Sequence, residues 1–176
     1  MEKIFNKLLT KYFKNEEWLK ARKIITKELK KSPNDHWLLT RLAMTYYEEF
    51  NYDKALKYSK KAYHLFPNCP LVIWDYACAL DMKNYKKRAI SLWKQLVKSG
   101  VEKIAHGECG EGIRWAKSLI NDCKYRIGIS YYNLGKKKEA LTYIKSHLIN
   151  RKRGQPSIYP LEHVRKIYKK MQVILR

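Results

Sequence analysis

The chain has 176 residues, 45% of them hydrophobic and 13% aromatic, which is enough apolar material for a packed core and excludes wholesale disorder. Lys and Arg number 38 against 16 Asp and Glu, a formal charge of +22 that favours acidic proteins, nucleic acid or anionic surfaces as partners. No apolar run approaches the ~18 residues of a membrane-spanning helix, and seven Gly with five Pro exclude collagen-like or Pro-rich architectures.

The first residues, Met1 to Lys11, are charged throughout, with no apolar stretch or small-residue cleavage site of a secretory signal. The expectation is a cytoplasmic protein whose four cysteines (Cys69, Cys78, Cys109 and Cys123) are reduced and act as small buried hydrophobes.

Along the chain an interval of 34 residues recurs. Leu39, Leu42, Ala43, Tyr46 and Ala55 stand 34 residues before Ile73, Tyr76, Ala77, Leu80 and Ala89. The same step backwards reaches Phe5, Leu8, Leu9, Tyr12 and Ala21, and Pro33 and Pro67 are also 34 apart. The pattern returns at Lys124, Ile127, Gly128, Tyr131 and Ala140, displaced by one period plus 17. Each unit reads as two short helices. In the second, Trp37 to Tyr47 mark one helix, and Ala55, Leu56, Ser59, Ala62 and Leu65 mark another, which Pro67 ends. Small residues at Ala43, Ala77 and Gly128, and at Ala21, Ala55, Ala89 and Ala140, predict close approach of paired helices.

Residues 101–112 hold three of the seven glycines and read as a loop. Periodicity resumes at Ile113 and runs through Trp115, Leu119, Cys123, Ile127 and Tyr131, predicting a first helix lengthened at its N-terminal end in the fourth unit. Residues 151–160 read as a basic linker. Leu161, Val164, Ile167, Tyr168, Met171 and Ile174 then form the stripe of a last helix that caps the stack.

These units resemble the tetratricopeptide repeat family, most closely over Tyr52–Pro67 and Gly128–Leu141. The resemblance implies an all-α, right-handed α-solenoid of about four helical hairpins, with repeats near 2–35, 36–69, 70–103 and 121–154. It leaves an insertion at 104–120 and a capping helix near 160–175. It further implies a non-enzymatic, cytoplasmic adaptor that holds a peptide or helical segment of a partner in a concave groove lined by first helices. The places matching that groove include Trp37, Thr40, Arg41, Met44, Tyr47, Trp74, Cys78, Tyr125, Ile129 and Tyr132, with Asp122 also facing it. Trp, Tyr and Met are favoured as binding anchors, although an aromatic stripe at helical spacing equally suits a core. Some relatives clamp an acidic peptide terminus with Lys and Asn. Here the matching places hold Thr40, Met44, Trp74 and Asp75, so that clamp is absent.

No catalytic motif, cofactor fingerprint or metal-ligand spacing emerges. The Gly107–Gly112 segment lacks dinucleotide-binding spacing, and its Glu108 and Glu111 would repel a phosphate. His106, Cys109 and Cys123 supply at most three zinc ligands. Charge concentrates late: residues 121–176 carry 14 basic and 3 acidic groups. Lys136, Lys137, Lys138, Arg151, Lys152, Arg153, Lys166, Lys169 and Lys170 form a candidate basic patch. The expected partner is a protein of acidic character, with no membrane and no small-molecule substrate. The alternative is a nucleic-acid-associated protein that binds RNA or DNA through this basic third.

Overall fold

Helix starts follow local chemistry. Asp35 accepts a hydrogen bond from the Leu38 amide (3.0 Å) and Asn51 one from the Lys54 amide (3.3 Å), each satisfying an otherwise orphaned first-turn donor. Pro70 occupies the first turn after Cys69, where its missing N–H costs nothing. In the computed structural model, which describes residues 2–173, the chain folds into two compact units joined between Lys83 and Asn84. Among the described residues every regular element is helical.

The first unit contains α1 (Glu2–Lys14), α2 (Trp18–Lys31), α3 (His36–Glu48), α4 (Tyr52–Leu65) and α5 (Pro70–Met82). Successive helices pack against one another, and α3 also meets α5. Leu9, Ala21, Ile25, Leu38 and Leu42 form a core that Phe5, Tyr12, Phe13, Tyr46 and Tyr58 surround. Arg22 joins α2 to the end of α3. Its Nη1 donates to the Thr45 carbonyl (3.2 Å) and pairs with Glu49 (2.7 Å), while the guanidinium covers the Tyr46 ring at 4.8 Å.

The second unit contains α6 (Lys86–His106), α7 (Ile113–Asn133), α8 (Lys137–Lys152) and α9 (Leu161–Val173). The long α7 begins at Ile113, as its periodicity predicts. Residues 101–106, expected to be loop, are helical instead. Gly100, at φ 78°, breaks the helix axis in a conformation open to glycine, and the chain resumes helix beyond it, burying Ile104 and Ala105. The connector shortens to residues 107–112. The apolar stripe of the last helix is present in α9, with Val164 and Met171 buried; Ile174 lies outside the described residues.

The recurrent small residues are all inside: Ala21, Ala89 and Ala140 are fully buried and Ala55 nearly so. Gly128 shows why size matters. A Cβ there would lie 2.7 Å from Cδ1 and Cγ1 of the buried Ile144 and 3.2 Å from the Ala140 carbonyl oxygen. Gly128→Val is therefore expected to lower stability by about 1–3 kcal/mol through overpacking. Equilibrium denaturation measures this, and an unchanged midpoint would contradict the tight α7–α8 contact.

Candidate functional site

In the first unit, residues 37, 41, 44 and 48 recur at intervals of three and four and so line one face of α3. Trp37 opens the row, 37% exposed, with its ring edge-on to Phe5 at 6.5 Å between centroids. It borders a depression of about 540 Å³ whose other walls include Phe5, Asn6, Glu28 and Lys31. The Arg41 guanidinium lies over the Trp37 ring at 5.6 Å, and its Nη1 stands 3.9 Å from Met44 Sδ. These contacts hold a long cationic side chain flat along the helix.

Beside this row lies a smaller cavity of about 80 Å³. Met44, Tyr47 and Glu48 of α3 face Asp75 and Cys78 of α5 across it, and Ala43, Ala55 and Ala79 complete the wall. Three alanines leave space that larger side chains would fill. Asp75 is half-buried as a residue, but its Oδ2 is shielded from solvent without a hydrogen-bond partner. Burial pushes the carboxyl up to about 7, with the Arg41 guanidinium acting in the opposite direction. Glu48 is also raised, by burial and then by the nearby Glu16 carboxylate. Met44, Tyr47 and Cys78 of the expected groove thus share one cavity with the carboxyl groups of Glu48 and Asp75, whose convergence sequence reasoning did not draw out; its signal was two acids with Arg41 in a strongly basic chain.

Thr40 is a correction. It is fully buried, and its hydroxyl donates to the Trp37 carbonyl of its own helix at 2.7 Å. Trp74 is half-buried on α5.

A carboxyl whose folded pKa lies near 7, above its ordinary 3.8, binds more protons in the native state than in the unfolded state between those values. Its destabilising ionisation is absent at pH 4 and complete above pH 7. Asp75→Asn is expected to be more stable than the wild type at pH 8, the difference closing as pH falls to 4. Denaturant titrations across that range test it, and a difference independent of pH would refute the raised pKa.

In the second unit the corresponding face of α7 is covered by the unit's own C-terminal segment. Tyr125, expected to line a groove, is 7% exposed and stacks on Tyr159 at 3.9 Å between centroids. Ile129 and Tyr132 pack against the cluster of Tyr125, Ala140, Ile144, Val164 and Met171. Asp122, also expected to face the groove, is buried and accepts hydrogen bonds from the Ser157 hydroxyl, the Ser118 hydroxyl (3.4 Å) and the Ile158 amide (3.5 Å). Asn121 Nδ2 donates to the Pro156 carbonyl at 3.4 Å, and His147, fully buried, places Nδ1 2.9 Å from the Asn121 carbonyl. Burial raises the Asp122 carboxyl to about 6 against those three donors, and burial lowers the pKa of His147. Residues 155–159 are thus a pinned strap across α7 rather than a free linker. Asp122→Ala should cost roughly 1.5–3 kcal/mol and release the strap. Limited proteolysis within residues 154–160 reads this directly: cleavage no faster than in the wild type would show that the strap is held without Asp122.

The candidate basic patch does not gather in one place. Lys136, Lys137 and Lys138 stand at the start of α8, and Arg151, Lys152 and Arg153 at its end, some ~20 Å away at 1.5 Å per residue. Arg151 is engaged locally, its Nη1 donating to the Gln155 carbonyl at 3.1 Å. Lys166, Lys169 and Lys170 are exposed on α9. His106 is exposed, 3.4 Å from Glu102, while Cys123 is fully buried in α7, so they form no ligand set with Cys109.

Comparison with known proteins places these features. The tetratricopeptide repeat family model matches residues 122–146. No curated protein sequence matches the chain. Among solved structures, MamA is similar at TM-score 0.64 and 18% identity, over 96% of this chain and 88% of its own. The apo form of RapI reaches TM-score 0.78 at 15% identity, over 99% of this chain and 64% of RapI. TTC0263, a thermophilic tetratricopeptide-repeat protein of Thermus thermophilus, aligns over 98% of this chain and all of its own at TM-score 0.50 and 15% identity. At these identities the likeness is one of fold. The chain carries a tetratricopeptide repeat at residues 122–146 and has the all-α hairpin fold of tetratricopeptide-repeat proteins.

Proposed function

We propose that the chain is a non-enzymatic protein-interaction module that holds a segment of a partner protein on the face of its first unit where α3 meets α1 on one side and α5 on the other. The observation that carries this reading is the Trp37 ring, exposed at the edge of a concavity and backed by Arg41 and Phe5. A large aromatic side chain left at a concave surface is the residue type that dominates binding energy at protein interfaces. Met44 and Tyr47 add adaptable and rigid contact area next to it. The alternative use of that face, as packing surface within the unit, is met on α7 by Tyr159 and the strap; Trp37 keeps over a third of its surface.

The +22 charge supports encounter with partners of acidic character, raising association rates at low salt more than final affinity. A cytoplasmic location belongs to the same reading. Capture of partners from native extract by the wild-type chain, repeated with Trp37→Ala and Trp74→Ala, tests it. A specifically captured protein should lose about 30-fold in affinity with Trp37→Ala while the variant keeps its helical circular dichroism. Equal capture by both variants, at salt high enough to screen surface charge, would defeat the proposal.

A further inference from the structure

The groove between α8 and α9 has a composition that its own unit does not require. Four partly exposed side chains make its floor: Leu148 and Ile149 from α8, Leu161 and Tyr168 from α9. Leu148 and Tyr168 rest on the unit's core, and Ile149 is 39% exposed. Four cations make its rim: Lys145, Lys152, Arg165 and Lys169, all exposed. Among the described residues none of the four is in an ion pair and no carboxylate lines the groove, whose volume is about 400 Å³.

The geometry is that of two helix stripes flanking a furrow. Positions 145, 148, 149 and 152 recur along α8 as 161, 165, 168, 169 and 172 do along α9, at three- and four-residue steps. Each stripe spans roughly 10–17 Å at 1.5 Å per residue, the length of two to three helical turns. An apolar furrow between two helices is filled by the apolar ridge of a third.

We propose that the α8–α9 groove is a docking site for two to three turns of an amphipathic helix from a partner protein, its apolar ridge on the aliphatic floor and acidic residues against the four rim cations. Charge complementarity selects this occupant. A second copy of the chain docked groove to groove would set four cations against four others. A phosphate backbone would neutralise the rim and leave Leu148, Ile149 and Leu161 unfilled. A bilayer surface is flat and does not enter a furrow. The site lies wholly in the second unit and does not depend on the Trp37 face of the first, so each proposal can fail while the other stands.

The test uses the full chain and a synthetic helical peptide of about 14 residues, with Leu along one stripe and Glu on both flanks. Fluorescence anisotropy measures its binding at near-physiological salt, beside a Leu-to-Ser peptide and a Glu-to-Lys peptide. The Leu/Glu peptide should bind, and lose on the order of tenfold in affinity with Ile149→Ser or with Lys145→Glu plus Arg165→Glu. The Glu-to-Lys peptide should bind the charge-reversed variant better than the wild type, a gain that misfolding does not produce. Trp37→Ala should leave the Leu/Glu peptide's affinity unchanged. No binding, equal binding of the Leu-to-Ser peptide, or indifference to charge reversal would overturn the proposal. Displacement of the peptide from the groove by single-stranded RNA, or by phosphatidylserine-containing vesicles at lower concentration than the peptide requires, would assign the groove to those ligands and overturn it as well.

Discussion

The architecture depends on how near two helix backbones come to each other. Where Gly128 of α7 meets α8, the Ala140 carbonyl and the Ile144 side chain occupy the space that a methyl group would take. Interiors at crystal-like density have no slack to absorb one. The same demand explains why Ala21, Ala55, Ala89 and Ala140 are buried in helices otherwise crowded with lysine. Close contact at the small positions lets the larger neighbours interlock. Tyr46 stacks on Tyr58 at 5.6 Å, and Tyr63 on Tyr76 at 4.9 Å. Helices of 13–14 residues, marginal on their own, are thereby stabilised by packing more than by their own hydrogen bonds.

The turns inside the hairpins obey the same period in their backbone. Glu16, Phe50 and Asn84 stand 34 residues apart and all have positive φ, and Gly135 takes that role in the displaced fourth unit. The Glu17, Asn51 and Lys136 amides each donate to the carbonyl five residues earlier, at Tyr12, Tyr46 and Tyr131, closing the helix end in the same way. Asn and Gly suit a left-handed residue; Glu and Phe do not. The turn is therefore imposed on those two residues by helices that must come back side by side, with the local cost offset by packing.

The two units treat their first-helix faces differently. In the first, Trp37, Arg41 and Met44 remain at the surface, and two carboxyl groups gather at a cavity walled by alanines. In the second, Asp122 and Asn121 bind the 155–159 strap, Tyr159 covers Tyr125, and α9 seals the hydrophobic cluster below. His147, fully buried in α8, has its Nδ1 2.9 Å from the Asn121 carbonyl, tying α8 to α7. Buried polar groups in this unit hold irregular backbone in place, a task that apolar packing performs poorly because it lacks direction.

Helix content, the 34-residue spacing, the start of α7 at Ile113 and the burial of the alanines were all readable from residue order, because each rests on contacts between residues near in sequence or repeated at fixed distance. Which side chains of the first helices face a neighbour was not readable. Thr40 and Trp37 lie on the same short helix, yet one is buried with its hydroxyl on the Trp37 carbonyl and the other has its ring exposed. Tyr125 differs from Trp37 only because Ser157 and Tyr159, more than 30 residues further along, fold back onto its helix. The helical extension over 101–106 likewise required the burial of Ile104 and Ala105 to outweigh a glycine break. Periodicity records a helix's own geometry. What covers each face depends on partners distant in the chain, and only three-dimensional packing selects them.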